Sequence, residues 1–281
     1  MAPAGPKTKV RKRGEPGPKP LGWKAPQLAL RDGTIRATMR CCVVKVLEYW
    51  EATNMGCAMP ADIFDFWSQV GTNDHVHPAD KKVFHRLGLD GHGFNHKTLP
   101  GCFMGPLRTA PVVFLFMSPG LSEEDETSAK LKSWRDWHVR QRQGDEPLPN
   151  IETPAGKWWV KRVKFTGVDQ ALIPAQVAFL NIGAYKSKEM KDPELLAALP
   201  SSRVCLDWAQ QVLFPAAERG ERVVVCLRAA KFWGLKRGKV YGRALFSPNV
   251  NRAGDMLKKT PRDRVIRGQA IKAILAALDL G

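Results

Sequence analysis

Pro111-Val-Val-Phe-Leu-Phe-Met-Ser-Pro-Gly-Leu-Ser-Glu-Glu-Asp125 decides how this chain folds. Six apolar residues, Val112 to Met117, run without interruption and stop at Ser118-Pro119-Gly120. A short apolar run bounded by turn residues is the pattern of a strand buried on both faces, as in a parallel sheet. Ser122, with Asp125 three residues later, has the spacing of a capping box and opens a helical pattern over about 122–142. Strand, tight turn and helix N-terminus in succession belong at the carboxyl edge of an α/β sheet, where such folds place their ligand chemistry.

Working outward, three more runs predict buried strands: 177–182, 222–228 and 242–247. Helical patterns at about 202–218 and 263–279 fill the remaining gaps. Strands alternating with helices predict right-handed crossovers and a three-layer α/β/α fold on a mostly parallel four-stranded sheet, spanning 105–281. A helical extension over 27–104 precedes it, with helices at roughly 34–53, 61–70 and 78–87. Residues 1–26 carry six prolines and four glycines among basic side chains, the composition of a disordered basic arm. The stretch 143–176, rich in Pro, Gly, Trp and Lys, is expected to be a long surface insertion with a little local structure.

The 281 residues carry 44 Lys and Arg against 27 Asp and Glu, a formal charge of +17. The segment 1–24 holds seven basic residues against Glu15, a net of +6, so +11 resides in the rest of the chain. Such an excess favours a polyanionic partner, nucleic acid before others. No secretory core opens the sequence and no run of about 18 apolar residues would span a bilayer, so an intracellular, cytoplasmic monomer without membrane contact is expected. Six cysteines (Cys41, Cys42, Cys57, Cys102, Cys205, Cys226) form no Cys-x-x-Cys pair. His75, His77, His85, His92 and His96 cluster, but no helix carries two of them at i, i+4, so no metal is expected. Neither a dinucleotide motif nor a Walker loop is present, and no cofactor is expected.

Three predicted strands end in polar residues with glycine or proline: Ser118-Pro119-Gly120, Asn181-Ile-Gly-Ala-Tyr-Lys-Ser-Lys188, and Phe246-Ser-Pro-Asn-Val-Asn-Arg252. In order and placement these resemble the uracil-DNA glycosylase superfamily, over about 105–280. Phe116-Met-Ser-Pro-Gly120 looks like a variant of that superfamily's Gly-x-Asn-Pro-Gly or Gly-x-Ala-Pro-Gly strand end. Leu180-Asn181 is similar to its Leu-Asn strand end, and Ser247-Pro-Asn-Val-Asn251 to its late Ser-Pro loop.

The resemblance implies hydrolysis of the N-glycosidic bond of a damaged or modified base in DNA, leaving an abasic site. Breaking that bond builds a cationic sugar and an anionic base, so the site must stabilise both and hold a water or carboxylate beneath the sugar. The base must also be flipped into a pocket. Asn181 would read the base edge, with Met117, Pro119, Gly120 and Tyr185 around it. Ser118 stands where relatives carry a water-activating Asp or Asn, and Glu123, Glu124 or Asp125 would supply the carboxylate. Acidic residues in a first helical turn also serve the helix dipole. Lys186, Lys188, Ser247, Asn249, Asn251 and Arg252 would contact DNA. The family's late-loop histidine aligns with Leu245. This loss, with that at Ser118, points away from uracil toward a bulkier modified pyrimidine, in repair or in defence against viruses with hypermodified DNA. Trp158-Trp159 between Lys157 and Lys161-Arg162 suits base stacking beside phosphates, or packing of the insertion. A non-catalytic nucleic-acid-binding member of the same fold, and an unrelated nucleotide-processing or RNA-binding α/β protein, are the alternatives.

Overall fold

A computed structural model describes residues 62–88, 92–190 and 192–279. The basic arm, the expected helix at 34–53, Cys41, Cys42, Cys57 and Lys191 lie outside the described residues.

A mixed sheet organises the chain. Its strands are β1 (Phe103–Met104), β2 (Val112–Phe116), β3 (Val177–Asn181), β4 (Val223–Cys226), β5 (Lys239–Tyr241) and β6 (Leu245–Ser247). They lie in the order β1-β3-β2-β4-β6-β5, with β3, β2, β4 and β6 parallel and the short β1 and β5 antiparallel at the edges. The four strands expected from sequence form the parallel centre, and the two edge strands extend it. β2 is apolar throughout because both faces are covered. Val112, Phe114 and Phe116 enter one core with Trp159, Val163 and Ile274, whereas Val113 and Leu115 enter another with Trp67, Trp208 and Leu213.

The helices are α1 (Ile63–Ser68), α2 (Lys81–Leu87), α3 (Glu123–Ser128), α4 (Lys132–Gln141), α5 (Pro154–Val163), α6 (Pro200–Trp208), α7 (Phe214–Arg219) and α8 (Pro261–Ala277). α6 runs through a π-helical turn, Ala209–Leu213, into α7. Pro215 lacks the N–H that would continue the α-helical ladder, and the ladder widens just before it.

Three expectations are corrected. The helix over 122–142 is two helices, because Leu131 takes an extended backbone (φ −76°, ψ 132°) between α3 and α4. The stretch 143–176 is no mere surface insertion. Thr153 caps α5, which buries Trp159 and Val163 against the sheet. A side chain at Gly156 would sit 1.9 Å from the Asn150 carbonyl oxygen, so only glycine lets this helix lie on the preceding turn. Finally, the described part of the extension expected over 27–104 is not helical throughout and contributes to the sheet and its core. Ile63, Phe64 and Trp67 share the core of the sheet, and Phe103 and Met104 are strand residues paired with β3.

Candidate active site

β2 and β3 run side by side with Phe116 opposite Asn181, so their carboxyl ends deliver two loops to one place. Those loops continue the pairing beyond the sheet. Gly183 N donates to Met117 O (2.8 Å), Ser187 N to Pro119 O (3.2 Å) and Leu121 N to Ser187 O (3.1 Å). A cavity of about 310 Å³ opens above this floor, within the usual size of small-ligand pockets.

Six aromatic rings line its wall. Trp134, Trp137 and His138, at i, i+3 and i+4 on α4, present one helical face to the cavity. The two indoles stack, with centroids 4.8 Å apart and 19° between planes. Trp158 of α5, Phe103 of β1 and Phe179 of β3 complete the wall. Rings at these positions give a planar aromatic ligand large contact faces at little entropic cost.

Five polar side chains line the same cavity: Ser122, Asp125, Lys186, Asn181 and His138. Asp125 is the third residue of α3 and closes the capping box: it accepts from Ser122 N (2.8 Å) and Ser122 Oγ (2.9 Å), while Ser122 Oγ accepts from Asp125 N (3.2 Å). Its other oxygen takes Lys186 Nζ at 2.8 Å. Burial alone would raise the Asp125 pKa, but the Lys186 ammonium and the Ser122 donors outweigh it and hold the carboxyl below its ordinary range. It is therefore ionised at neutral pH.

Asn181 lies at the end of β3 with both backbone groups engaged: N donates to Cys102 O (2.6 Å) and O accepts from Cys205 Sγ (2.9 Å). Its carboxamide has no hydrogen-bond partner among the described residues and lines the cavity, with 8% of the residue accessible. A rigid backbone holding a free amide gives one donor group and one acceptor group to a ligand edge.

His138 is open only in part, and burial, followed by the positive Lys186 and Arg142, pushes its pKa down to about 3. The imidazole is neutral at physiological pH, so one ring nitrogen donates and the other accepts. The folded pKa lies below the ordinary 6.5, so between pH 6.5 and 3 the unfolded chain binds a proton that the folded chain does not. Stability then falls as pH drops through that window. His77 and His96, lowered chiefly by burial, act in the same direction. We expect the melting temperature to decline between pH 7 and pH 4, and to decline less steeply in His138→Gln; identical slopes would contradict a buried neutral His138.

Of the residues expected from sequence, the cavity thus brings together Pro119, Gly120, Asn181, Asp125 and Lys186. Other expected residues lie elsewhere. Ser118 and Met117 flank Gly183 rather than the cavity, and Met117 packs on the core beneath. Glu123 and Glu124 are exposed on the first turn of α3. Tyr185, expected at the base, is 1% accessible, with its hydroxyl donating to Asp80 Oδ2 (2.5 Å) in the core. Lys186, expected on a DNA backbone, turns inward to Asp125, whereas Lys188 is exposed. Ser247 is wholly buried and shares the strand face of Leu245, opposite Phe246. Asn249 donates to Asp263 (2.9 Å) and Asn251 to Asp255 (2.9 Å), whereas Arg252 is exposed.

Sequence reasoning missed Trp134, Trp137, His138 and Phe103. The Trp-x-x-Trp-His spacing at 134–138 was the available signal. Of the tryptophan pair at 158–159, Trp158 lines the cavity and Trp159 fills the core. Of the histidine cluster, His77 stacks on Phe66 at 3.8 Å, and His92 and His96 pack on Phe84. Among the described residues, no group of three or more His, Cys, Asp or Glu is placed to hold a metal, and no helix is long and apolar enough to cross a membrane. Cys102, Cys205 and Cys226 are buried free thiols. The sequence matches no family model and no curated protein.

Proposed function

We propose that the protein is a DNA glycosylase of the uracil-DNA glycosylase type, acting on a modified pyrimidine flipped into the aromatic cavity. The free Asn181 amide at the floor of a cavity walled by Trp134, Trp137, Trp158 and Phe179 is the observation that carries this reading. A flipped base stacks between such rings and pairs its edge with the amide. As the bond from C1′ to the base nitrogen breaks, its electron pair leaves with the base, water adds to C1′, and the proton that the water loses ends on the departed base. The ionised Asp125 stabilises the cationic sugar and orients the water. The neutral His138 donates an N–H hydrogen bond to the base oxygen that gathers charge, as a neutral imidazole can do without surrendering its proton. It takes the part that the late loop, with Leu245, does not fill. The four parallel strands, with both faces covered by helices, are compatible with this fold class.

One observation favours a binding protein without catalysis. Both oxygens of Asp125 are already engaged, one by Ser122 and one by Lys186. Catalysis requires that Lys186 share or release its oxygen once a nucleotide enters.

The Asn181→Ala variant separates base recognition from folding. Base release from the responsive substrate is expected to fall by about 10²-fold or more, since a buried amide contact is lost where charge develops. The melting temperature is expected to stay within a few degrees, because the side chain bonds nothing among the described residues. Equal release by variant and wild type would reject Asn181 as the base reader.

A further inference from the structure

In the parallel order β3-β2-β4-β6 the chain leaves β2 for β3 on one side and returns to β4 on the other. The crevice outside the carboxyl ends of β2 and β4 is therefore the topological switch point of the sheet, the general ligand position in open α/β folds. The aromatic cavity sits at the β2/β3 side of it, so the crevice itself is a second location.

Arginines gather there from three connections. Arg162 belongs to the last turn of α5, Arg228 and Arg237 follow β4, and Arg252 follows β6. Arg162 Nη1 donates to the Ala253 carbonyl, and Arg228 Nη1 to the Arg252 carbonyl at 2.7 Å. The turn that supplies both carbonyls lies over the end of β2: a side chain on Gly254 would come within 3.5 Å of the Phe116 ring and 3.7 Å of Arg228 Cδ. None of the four guanidinium groups makes an ion pair among the described residues. Asp255, the nearest carboxylate along the chain, is engaged by Asn251. Arg162 Nε is buried without a hydrogen-bond partner among the described residues. Burial and then the charges of Arg162, Arg252 and Arg237 lower the Arg228 pKa, so Arg228 sits in a positive field without a counter-ion among the described residues. Like charges held together without counter-charge are the arrangement that an oxyanion relieves.

The cluster is also in register with the cavity. Arg162 lies one turn beyond Trp158 on α5, with its guanidinium 5.7 Å from the indole centroid, and that indole lines the cavity. We propose that Arg162, Arg228, Arg237 and Arg252 clamp a backbone phosphate of the nucleic-acid strand whose flipped nucleotide occupies the aromatic cavity. This rests on the base-pocket reading above, but the arginines alone carry the phosphate contact.

The test is fluorescence anisotropy of the full chain with a labelled single-stranded oligonucleotide, titrated between about 50 and 200 mM salt, where phosphate contacts dominate the slope. In Arg162→Gln/Arg228→Gln, affinity is expected to fall at least about tenfold, and the log–log salt slope to shrink by about 0.7, the share of one phosphate on a single strand. Arg237→Gln/Arg252→Gln, whose side chains are exposed, repeats the measurement without risk to the fold; Arg162→Lys/Arg228→Lys should retain the slope. Quenching of tryptophan fluorescence by a neutral pyrimidine nucleoside is followed in parallel, and should be unchanged in all variants. Unchanged affinity and slope in both glutamine pairs would overturn the clamp while leaving the pocket reading intact. Loss of slope with no nucleoside quenching would support the clamp and reject the pocket. An oligonucleotide that does not bind the wild type overturns the clamp outright.

Discussion

Asp125→Asn is expected to lower the single-turnover rate of base release by about 10²–10⁴-fold, the range of a positioned carboxylate lost from a reacting centre. The substitution keeps the side chain's shape. An amide oxygen can still accept from Ser122 N, so the capping box that starts α3 is weakened rather than removed. What disappears is the negative charge facing the cavity and the partner of Lys186. Leaving that ammonium unpaired at a largely buried site costs stability, so the melting temperature should also fall, and rates must be compared well below it. Because the carboxyl is held below its ordinary range, the wild-type rate should show no acid limb from Asp125 above about pH 4. Stability from this group is present above that pH and is lost on further acidification through the folded pKa. A variant rate within threefold of wild type would remove Asp125 from the mechanism.

The second large effect is on folding. Asp80 is wholly buried and accepts from the Tyr185 hydroxyl (2.5 Å) and from Ser201 N (3.0 Å), while His77 N donates to the same hydroxyl oxygen (3.1 Å). These contacts tie the 3₁₀ turn at Pro78–Asp80 to the loop after β3 and to the start of α6. Asp80→Ala strands two buried donors, each costing about 1–3 kcal/mol, and leaves a cavity besides. A loss of about 3–5 kcal/mol is expected, read as a drop of roughly 6–20 °C in melting temperature. Tyr185→Phe should cost less, about 1–3 kcal/mol, because only one hydroxyl is removed. It should also leave the rate of base release unchanged. A rate loss in Tyr185→Phe at unchanged stability would return this tyrosine to the site. A melting temperature for Asp80→Ala within 2 °C of wild type would contradict the network.

The residues differ in how far their sequence announced them. The four parallel strands were legible because burial on both faces makes each a continuous apolar run, as in Val112–Phe116 and Val223–Cys226. The edge strands were not. β1 and β5 have two and three residues, and Lys239 and Val240 are exposed, so no periodicity marks them. The turn at Ser118-Pro119-Gly120 located the site because glycine and proline end a buried strand only where a loop must begin. Asp125 was legible through its spacing from Ser122, yet that spacing alone could not separate a cap from a catalytic group; the structure makes it a cap that also faces the cavity. Tyr185 and Ser247 were misplaced because a strand-end position says nothing of which way the side chain turns after the last ladder bond. The α4 face of Trp134, Trp137 and His138 was overlooked because aromatic residues at helical spacing are usually core. It became visible only once the break at Leu131 oriented that helix over the ends of β2 and β3.

Glycosylase activity is tested by incubating the protein with DNA strands and duplexes that carry uracil, hypoxanthine, hydroxymethylcytosine or glucosylated cytosine. Free base and alkali-labile abasic sites are then quantified. The account predicts release from a modified pyrimidine, lost in Asp125→Asn and in Asn181→Ala. Tight binding across the panel with no free base from any substrate would contradict the glycosylase reading and leave a nucleic-acid-binding protein.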